Sequence, residues 1–464
     1  MEQTTICAIA TSPGMGAIAT IRLSGSDAIA IGDCVFRSVK KEKQLQCQKA
    51  NTLHFGTIFD GDNDIDEVIV SIFRAPHSFT GEHVVEISCH GSVYIQQRIL
   101  QLLIDRGAVM ARPGEFTQRA FLNGKMDLSQ AEAVADLISS SNAANHKMAL
   151  KQMRGGFSKE IAQLREQMLN FMAMVELELD FSEEDVEFAN REELFKLCLE
   201  VEHKISTLAD SFKLGNALKN GVPVAIVGET NAGKSTLLNV LLNEERAIVS
   251  DIHGTTRDVI EDVINIRGTS FRFFDTAGLR ETNDAIEKIG IERSYNKLEQ
   301  ADIVLLVLDF TKSISEITAH LEQIRQRIDN QQLIIVANKS DKVERLKFNQ
   351  FMMALTLSEN ENLVFISAKE RQNLIELENL LVENSPLNLV DGNDIIVSNM
   401  RHYNALKNAQ SALLRVLDGI KAQIGGDFLA QDIREANYAL QELTGDIVHD
   451  EVLGHIFKNF CIGK

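Results

Sequence analysis

The sequence predicts a multidomain chain that combines α/β and all-α domains. Apolar residues alternate at strand spacing within the first 120 residues. Proline is absent between Asp127 and Lys219, where apolar residues recur at helical spacing, and this pattern resumes after Pro386. The stretch between these two regions alternates short apolar runs with loops and helices, as a parallel sheet does. We therefore predict an N-terminal α/β domain at 1–120 and a discontinuous helical domain at 121–215 and 385–464. A second α/β domain, at 216–384, is inserted into the helical domain.

Composition limits the class of protein. The chain has 464 residues, of which 44% are hydrophobic, which is ample for a sizeable core. No apolar run approaches the roughly 18 residues of a membrane span, and the N-terminus lacks a signal-peptide pattern, so a cytoplasmic location is expected. The six cysteines form no C-x-x-C pair, so neither disulfides nor zinc are expected. A net charge of −19 argues against broad, non-specific affinity for nucleic acid.

The inserted domain begins with a phosphate-loop pattern. The apolar run Val224–Val227 predicts a buried strand, Gly228-x-x-x-x-Gly233-Lys234-Ser235 follows at once, and Thr236–Leu242 then predicts a helix. Such glycines let backbone N–H groups point at a phosphate, and the helix N-terminus adds partial positive charge. Lys234 is expected to reach the β- and γ-phosphates, and the Ser235 hydroxyl to bind Mg²⁺. The alternative is a chance match on a strand, turn and helix.

Three further motifs follow predicted strands, and together they indicate guanine recognition: D-x-x-G at 275–278, N-K-x-D at 338–341 and S-A-K at 367–369. The strands 271–275, 301–309, 333–337 and 363–366 lie at intervals along the domain. Ligands bind at the carboxyl ends of such strands in a doubly wound sheet. In N-K-x-D the aspartate can accept from N1–H and the exocyclic amine, which adenine does not offer together. We therefore predict a Ras-like P-loop GTPase domain that contacts GTP through Asn231, Ala232, Gly233, Lys234, Ser235, Thr236, Asp275, Thr276, Ala277, Gly278, Asn338, Lys339, Asp341, Ser367, Ala368 and Lys369.

The residue that follows D-x-x-G is unusual for a Ras-like enzyme. Ras-like GTPases orient the attacking water with a glutamine there, whereas this chain has Leu279, which cannot hold water. Another group must therefore orient the water and replace the missing arginine finger. The candidates lie in a switch I segment at 254–258 and a switch II segment at 280–287.

Several other segments admit two interpretations. The turn at 111–119 and the polar residues up to Asp127 are more typical of a solvated loop and cap than of an anion or cofactor site. The glycine loop at 11–17 favours backbone turn chemistry over a weak phosphate loop. The carboxylates of 176–193 favour a solvated face over a metal site. The carboxyl-terminal segment 454–464 is apolar for a terminus, so we expect it to dock on the folded protein.

Sequence motifs along the whole chain resemble one known family. They are Gly-Ala-Ile-Ala-Thr-Ile-Arg-Leu-Ser-Gly at 16–25, Ser-Phe-Thr-Gly-Glu at 78–82, Arg-Pro-Gly-Glu-Phe-Thr-Gln-Arg-Ala-Phe-Leu-Asn-Gly-Lys at 112–125, Gly-Thr-Thr-Arg-Asp at 254–258, Asp-Thr-Ala-Gly-Leu-Arg at 275–280 and Phe-Cys-Ile-Gly-Lys at 460–464. With these motifs the chain resembles the bacterial MnmE (TrmE) family of tRNA modification GTPases.

This resemblance implies a function and a set of partners. Such proteins form homodimers and work in a heterotetramer with MnmG (GidA), an FAD-dependent protein. Together the two add a (carboxymethyl)aminomethyl group to C5 of the wobble uridine of certain tRNAs. The one-carbon donor is 5,10-methylene- or 5-formyl-tetrahydrofolate. The N-terminal domain is then a folate-binding and dimerisation domain.

The resemblance also implies specific residues. By matching positions, Arg22, Glu86, Lys125 and Lys464 should contact the folate. Cys461 lies beside that site in the sequence motif, as a catalytic nucleophile or as a packing residue.

In the GTPase domain the resemblance implies that potassium replaces the arginine finger. K⁺ would bind at Asn231, Ser250, Ile252 and Thr255, of which Ser250 and Thr255 also contact the nucleotide. Thr256 would join Ser235 on Mg²⁺, and Glu287 would orient the water indirectly as a catalytic residue. A cation at the phosphate loop would neutralise developing phosphate charge.

Two other classes of function compete with this one. The chain could be a ribosome-assembly or signalling GTPase that acts only as a switch, or a dimeric scaffold that nucleotide merely stabilises. The N-terminal motifs and the Cys-Ile-Gly-Lys tail argue against a pure switch, which needs no folate pocket.

Overall fold

The computed structural model of the chain forms two compact units. One contains Met1–Ser139, Ala149–Glu202 and Asn408–Lys464, and the other contains Ser140–Met148 and His203–Lys407. The structure describes residues 4–40, 43–180, 191–245, 261–275, 298, 300–386, 395–447, 450–458, 460 and 462–463. The three predicted domain boundaries stay a prediction.

The first unit begins with a seven-stranded sheet in the order β3-β4-β5-β6-β2-β1-β7. Neighbouring strands are antiparallel except for β1 and β7, which are parallel. The strands are β1 (Ile6–Ile9), β2 (Ile18–Ser24), β3 (Phe36–Ser38), β4 (Thr52–Asp60), β5 (Asn63–Phe73), β6 (Val84–His90) and β7 (Val109–Met110).

The strands that the alternation predicts at 18–24, 68–73 and 84–88 are confirmed as parts of β2, β5 and β6. The sequence did not reveal β4, because outward-facing Leu53 and Phe55 are apolar and hide the alternation. They are 70% and 53% exposed. Helices α1 (Ala28–Val35) and α2 (Val93–Asp105) contribute to the buried core with the inward side chains of these strands, among them Ile21, Val70 and Ile87.

Helices follow the sheet. They are α3 (Glu115–Leu122), α4 (Leu128–Ser139), α5 (Ala143–Met153), α6 (Gly156–Asp180), α7 (Arg191–Asp210) and α8 (Phe212–Asn220). The predicted helical periodicity is confirmed: Ile161, Leu164 and Met168 of α6 are buried. The turn predicted at 111–119 is wrong in its second half, where α3 begins directly after Gly114 in a left-handed conformation (φ 67°).

The second unit contains a six-stranded sheet in the order β13-β12-β11-β8-β10-β9. Only the edge strand β9 is antiparallel to its neighbour among the described pairs. The elements are β8 (Val222–Val227), α9 (Lys234–Glu245), β9 (Glu261–Ile266), β10 (Thr269–Asp275), β11 (Ile303–Asp309), α10 (Ile314–Arg325), β12 (Gln332–Asn338), α11 (Arg345–Ala354), β13 (Glu361–Phe365) and α12 (Leu374–Glu383).

Strands β8, β11 and β12 are apolar along nearly their whole length because both of their faces are buried. Val224 and Ile226 of β8 belong to one core cluster, and Ala225 and Val227 belong to another. All four strands predicted after the phosphate loop are confirmed, with ends shifted by one or two residues. The order reverses at β8, so the loop after β8 lies at a switch point of the sheet.

The chain ends in three more helices, α13 (Met400–Lys421), α14 (Gly426–Thr444) and α15 (Asp450–Lys458). The helical prediction after Pro386 is thus confirmed. Within the first unit, α14 packs against α6, and the Arg165 guanidinium pairs with the Asp446 carboxylate. Of the helices that the structure describes, none combines the length and the apolar character that crossing a bilayer needs.

Candidate functional site

The loop after β8 has the geometry of a phosphate loop. Gly228 and Gly233 take positive φ values of 147° and 102°. A Cβ on Gly228 would lie 2.2 Å from the Val307 carbonyl oxygen, so only glycine fits at this crossing. Helix α9 begins at Lys234, whose Nζ donates to the main-chain oxygens of Gly228 (2.6 Å) and Glu229 (2.9 Å). The lysine therefore spans the loop beside the N-terminus of the helix.

Asn338, at the end of β12, ties the phosphate loop to the predicted base pocket. Its Nδ2 donates to the Ala232 carbonyl oxygen at 2.8 Å, and its Oδ1 accepts from the Ala368 N–H at 3.0 Å. Only 3% of Asn338 is exposed, so both bonds are shielded from water. One buried amide thus fixes two of the predicted motifs relative to each other.

The next residues of N-K-x-D face the same region. Lys339 adopts a left-handed conformation (φ 65°), and its Nζ lies 2.6 Å from Asp309 at the end of β11. Burial would raise the pKa of Asp309, but the hydrogen bonds from Lys339 and Thr311 outweigh it and lower the pKa. Asp341 lies in the exposed 3₁₀ turn Ser340–Lys342.

These elements enclose an open cavity of about 460 Å³. Small-molecule sites commonly have volumes of roughly 300–1,000 Å³. Lysines, a helix N-terminus and one carboxylate suit a ligand with several phosphates and a base that donates hydrogen bonds. The lining residues are Thr230, Asn231, Gly233, Lys234, Ser235, Thr236, Asn338, Lys339, Asp341, Lys342, Ser367, Ala368 and Lys369. Sequence reasoning missed Thr230, which fills a variable position of the phosphate-loop motif, and Lys342, which adjoins N-K-x-D.

Several predicted site residues lie outside the described part of the chain. Asp275 ends β10 in the described backbone, but its side chain is not described. The rest of this group are Ser250, Ile252, Thr255, Thr256, Thr276, Ala277, Gly278, Leu279, Glu287, Cys461 and Lys464, together with the switch segments 254–258 and 280–287 and the side chains of most of the acidic stretch 176–193. Their roles stay predictions.

A second constellation lies on the N-terminal sheet, around Arg22. Arg22 on β2 faces Glu86 on β6 in register, and their side chains pair at 2.8 Å. The guanidinium carbon lies 5.8 Å from the ring centre of Phe79 and 5.6 Å from that of Phe116. An ion pair between aromatic rings, with part of each side chain still exposed, can accept a planar or charged ligand.

The carboxyl-terminal segment reaches this constellation. Nη1 of Arg22 donates to the Gly463 carbonyl oxygen at 3.3 Å. Gly463 has φ 95°, and a Cβ there would lie 2.3 Å from the Ile9 carbonyl oxygen. Phe457 and Phe460 lie against Gly114 at the start of α3. The prediction that this terminus docks is confirmed.

Lys125 approaches the same constellation by way of the loop 76–82. Its Nζ donates to the Pro76 carbonyl oxygen at 3.0 Å, and Phe79 of this loop faces Arg22. The predicted glycine loop at 11–17 pairs through backbone bonds, from Gly16 N–H to Gly91 O and from Gly91 N–H to Ala17 O. This geometry favours the turn interpretation of that loop.

Arg119 is part of a buried ion network rather than a solvated cap. Its guanidinium lies 3.2 Å from Glu82 and 3.0 Å from Glu115, and all three side chains are at most 10% exposed. The Ser24 hydroxyl donates to Glu82 at 2.6 Å, and the Arg112 N–H donates to Glu115 at 2.8 Å. The network locks α3, which carries Phe116, to the strand pair that carries the Arg22 constellation.

Arg119→Ala should lower the free energy of unfolding of this region by about 3 kcal/mol, because it removes the buried cation that Glu82 and Glu115 share. Hydrogen exchange of the β6 and α3 amides measures this loss. Arg112→Ala is the matched control, since Arg112 pairs with the same Glu115 but is 75% exposed. It should cost about 0–1 kcal/mol. Equal losses in the two variants would contradict the assignment.

The network also predicts a pH dependence. Burial would raise the pKa of Glu115, but hydrogen bonds from Arg112 and Arg119 outweigh it and lower the pKa. A lowered pKa stabilises the fold above the unfolded-state pKa of glutamate. This contribution is lost as the pH falls through the folded-state pKa.

Two family models match the chain. One is described as the MnmE helical domain and matches residues 128–461, and the other is described as the GTP-binding protein TrmE N-terminus and matches residues 5–125. Curated relatives named tRNA modification GTPase MnmE match along the entire chain. The protein from Bacteroides thetaiotaomicron is 59% identical over 466 residues, covering 100% of each chain. The protein from Parabacteroides distasonis is 56% identical over 99% of this chain and 100% of that one.

Among solved structures, the Era protein of Aquifex aeolicus bound to GDP and AlF₄⁻ is 30% identical over 41% of this chain and 66% of its own. The TM-score is 0.29, which does not establish a shared overall fold.

Proposed function

Because this chain belongs to the MnmE family of tRNA modification GTPases, we propose that it hydrolyses GTP to support modification of the wobble uridine of certain tRNAs. With the FAD-dependent protein MnmG it adds a (carboxymethyl)aminomethyl group to C5 of that base, using a tetrahydrofolate as one-carbon donor. The observation that carries the GTP part is the cavity that unites the phosphate loop, N-K-x-D and S-A-K. A cytoplasmic location belongs to the same proposal.

The cavity supports guanine recognition at one end and phosphate binding at the other. Asp341 offers two acceptor oxygens to N1–H and the exocyclic amine of guanine, and Lys339 is held near the base side by Asp309. Lys234 and the N-terminus of α9 offer positive charge to the phosphates.

Residues of this cavity fit the two cations of the proposal. The Ser235 hydroxyl at the start of α9 and the Asn231 amide within the loop both line the cavity. Hydroxyl and amide oxygens are ligands that hard cations such as Mg²⁺ and K⁺ accept. We assign Mg²⁺ to Ser235 and Thr256, and K⁺ to Asn231, Ser250, Ile252 and Thr255. Bound there, K⁺ supplies positive charge at the developing phosphate oxygens, and Glu287 orients the attacking water indirectly.

Replacing potassium chloride by sodium chloride at equal ionic strength should lower the rate of GTP hydrolysis about tenfold or more, because Na⁺ is too small for ligands spaced for K⁺. Single-turnover phosphate release measures the rate, and GDP affinity in the two salts serves as the control. Equal hydrolysis rates would mean that another group replaces the arginine finger.

The Arg22 constellation supports a folate site. Folate ring N–H groups can donate to a carboxylate, and folate oxygens can accept from a guanidinium, so the adjoining Glu86 and Arg22 can bind neighbouring groups of one folate. Phe79, which is 38% exposed, offers an aromatic surface beside Arg22, whereas Phe116 is fully buried and only packs near the guanidinium. Lys125 reaches the neighbouring loop, and the tail that ends in Lys464 passes Arg22 at Gly463.

An apolar patch on the N-terminal sheet supports the proposed homodimer. Phe55 and Ile69 are cross-strand partners on β4 and β5, and they are 53% and 45% exposed, with Leu53 beside them at 70%. A contiguous exposed apolar patch on a sheet marks an interaction surface. A second copy of this chain is its proposed occupant, as the family resemblance implies.

Phe55→Glu should weaken the homodimer at least about 30-fold, because a carboxylate would have to be buried in the interface. Sedimentation velocity over a concentration series measures the dissociation constant. Leu346→Glu is the matched control, since Leu346 is 66% exposed on the second unit. If the Phe55 variant dimerises like the Leu346 variant, the patch is not the interface.

A further inference from the structure

An ion pair joins the phosphate loop to the loop that follows β11. The Lys312 ammonium donates a hydrogen bond to the Glu229 carboxylate. Glu229 is the second residue of the phosphate loop, and its main-chain oxygen accepts from Lys234 at 2.9 Å. Glu229 therefore contributes both the carboxylate that pairs with Lys312 and the carbonyl oxygen that accepts from Lys234.

Lys312 is held in place from both sides. Before it, Asp309 accepts from the Thr311 N–H (3.0 Å) and hydroxyl (2.6 Å) and pairs with Lys339. After it, Ser313 opens a capping box at the start of α10. The Lys312 carbonyl oxygen also accepts from the Lys347 ammonium. The fixed backbone places the root of the Lys312 side chain where its ammonium reaches Glu229.

The ion pair between Lys312 and Glu229 removes an unfavourable charge from the phosphate loop. A free carboxylate on the phosphate loop would repel the phosphates of a nucleotide. His320 of α10 also lies near Glu229 and Lys312, but burial lowers its pKa, so it is neutral at pH 7. The hydrogen bond from Lys312 to Glu229 raises the pKa of that lysine, which therefore stays charged. Of these two neighbours, Lys312 is therefore the one that is positively charged at neutral pH and neutralises the Glu229 carboxylate.

We infer that Lys312 is a positioning residue for nucleotide binding, which neutralises Glu229 so that the phosphate loop presents net positive charge to the phosphates. The inference rests on the proposed GTP site and adds to it, because Lys312 lies outside the sequence motifs that predict that site and Glu229 fills a variable position of the phosphate loop. Lys312 acts through Glu229 and is assigned no contact with the nucleotide. The pair also links the loop that anchors Lys339 to the phosphate loop.

The test is a double-mutant cycle on the full-length protein, with a fluorescent GDP as probe. Lys312→Met removes the charge and keeps the aliphatic stem, and it should weaken GDP binding about tenfold at low salt. Glu229→Gln in the same chain should restore the affinity to within about twofold of the Glu229→Gln single variant. At 1 M potassium chloride the loss should shrink, because screening weakens the repulsion.

Lys213→Met is the matched control, since the Lys213 ammonium pairs with Asp302 at 2.7 Å elsewhere in the second unit. It should bind GDP like the wild type. Unchanged affinity in Lys312→Met would overturn the inference, and so would a double variant as weak as Lys312→Met alone. If the wild type itself fails to bind GDP, the proposed GTP site is wrong and the inference falls with it, so the two failures are distinguishable.

Discussion

Asp341→Asn is expected to transfer the preference of the nucleotide site from guanine to xanthine nucleotides. The Asp341 side chain lines the cavity beside the S-A-K loop. Its carboxylate can accept from two guanine N–H groups, whereas an amide accepts one hydrogen bond and donates the other. Xanthine has a carbonyl oxygen where guanine has its exocyclic amine, so it matches the amide. The affinity for GTP should fall about 1,000-fold, as is usual when a charged hydrogen-bonding partner is lost.

Hydrolysis of GTP and of XTP by wild type and variant measures this change in preference. Asp329→Asn is the matched control, because Asp329 is an exposed carboxylate in the loop between α10 and β12. It should leave the preference for GTP unchanged. If Asp341→Asn still prefers GTP, another group reads the base.

Arg22→Ala is expected to abolish tRNA modification while GTP hydrolysis stays near the wild-type rate. Arg22 lies at the centre of the proposed folate site, where it contacts Glu86, two aromatic rings and the Gly463 carbonyl oxygen. Its loss removes the guanidinium proposed to bind folate oxygens and also one hydrogen bond to the tail. Charge-assisted hydrogen bonds contribute about 1.5–3 kcal/mol each, so folate affinity should fall by about 100-fold.

Tetrahydrofolate binding by calorimetry and GTP turnover on the same preparation separate the two effects. Arg37→Ala is the matched control, because Arg37 on β3 of the same sheet pairs with Asp64 and both are more than half exposed. It should bind folate like the wild type. A normal folate affinity in Arg22→Ala would remove Arg22 from the site.

The phosphate loop and base pocket could be predicted from the sequence because each motif is local and its strand is apolar throughout. The strand, the motif Gly228-x-x-x-x-Gly233-Lys234-Ser235 and the helix follow one another in a single stretch of sequence. The carboxyl ends of parallel strands then bring these motifs together without further information. The docked tail could also be predicted from one local stretch, because chain termini are usually polar and an apolar one is expected to pack against the folded protein.

The interactions that sequence reasoning missed join residues far apart in the chain. Lys312 and Glu229 are 83 positions apart, and neither departs from ordinary loop composition. Arg119 has polar neighbours in sequence and therefore resembled a solvated cap, but its partner Glu82 comes from a strand-end turn. Strand β4 was missed because its outward residues form an apolar patch, which breaks the alternation that defines a half-buried strand.

The most direct test of the account is nucleoside mass analysis of total tRNA from cells that lack this gene. The account predicts that the C5-substituted wobble uridines disappear on deletion. The wild-type gene should restore them, whereas the Arg22→Ala gene should not. An unchanged nucleoside profile in the deletion strain would contradict the account, because the GTPase would then act as a switch that does not serve this modification.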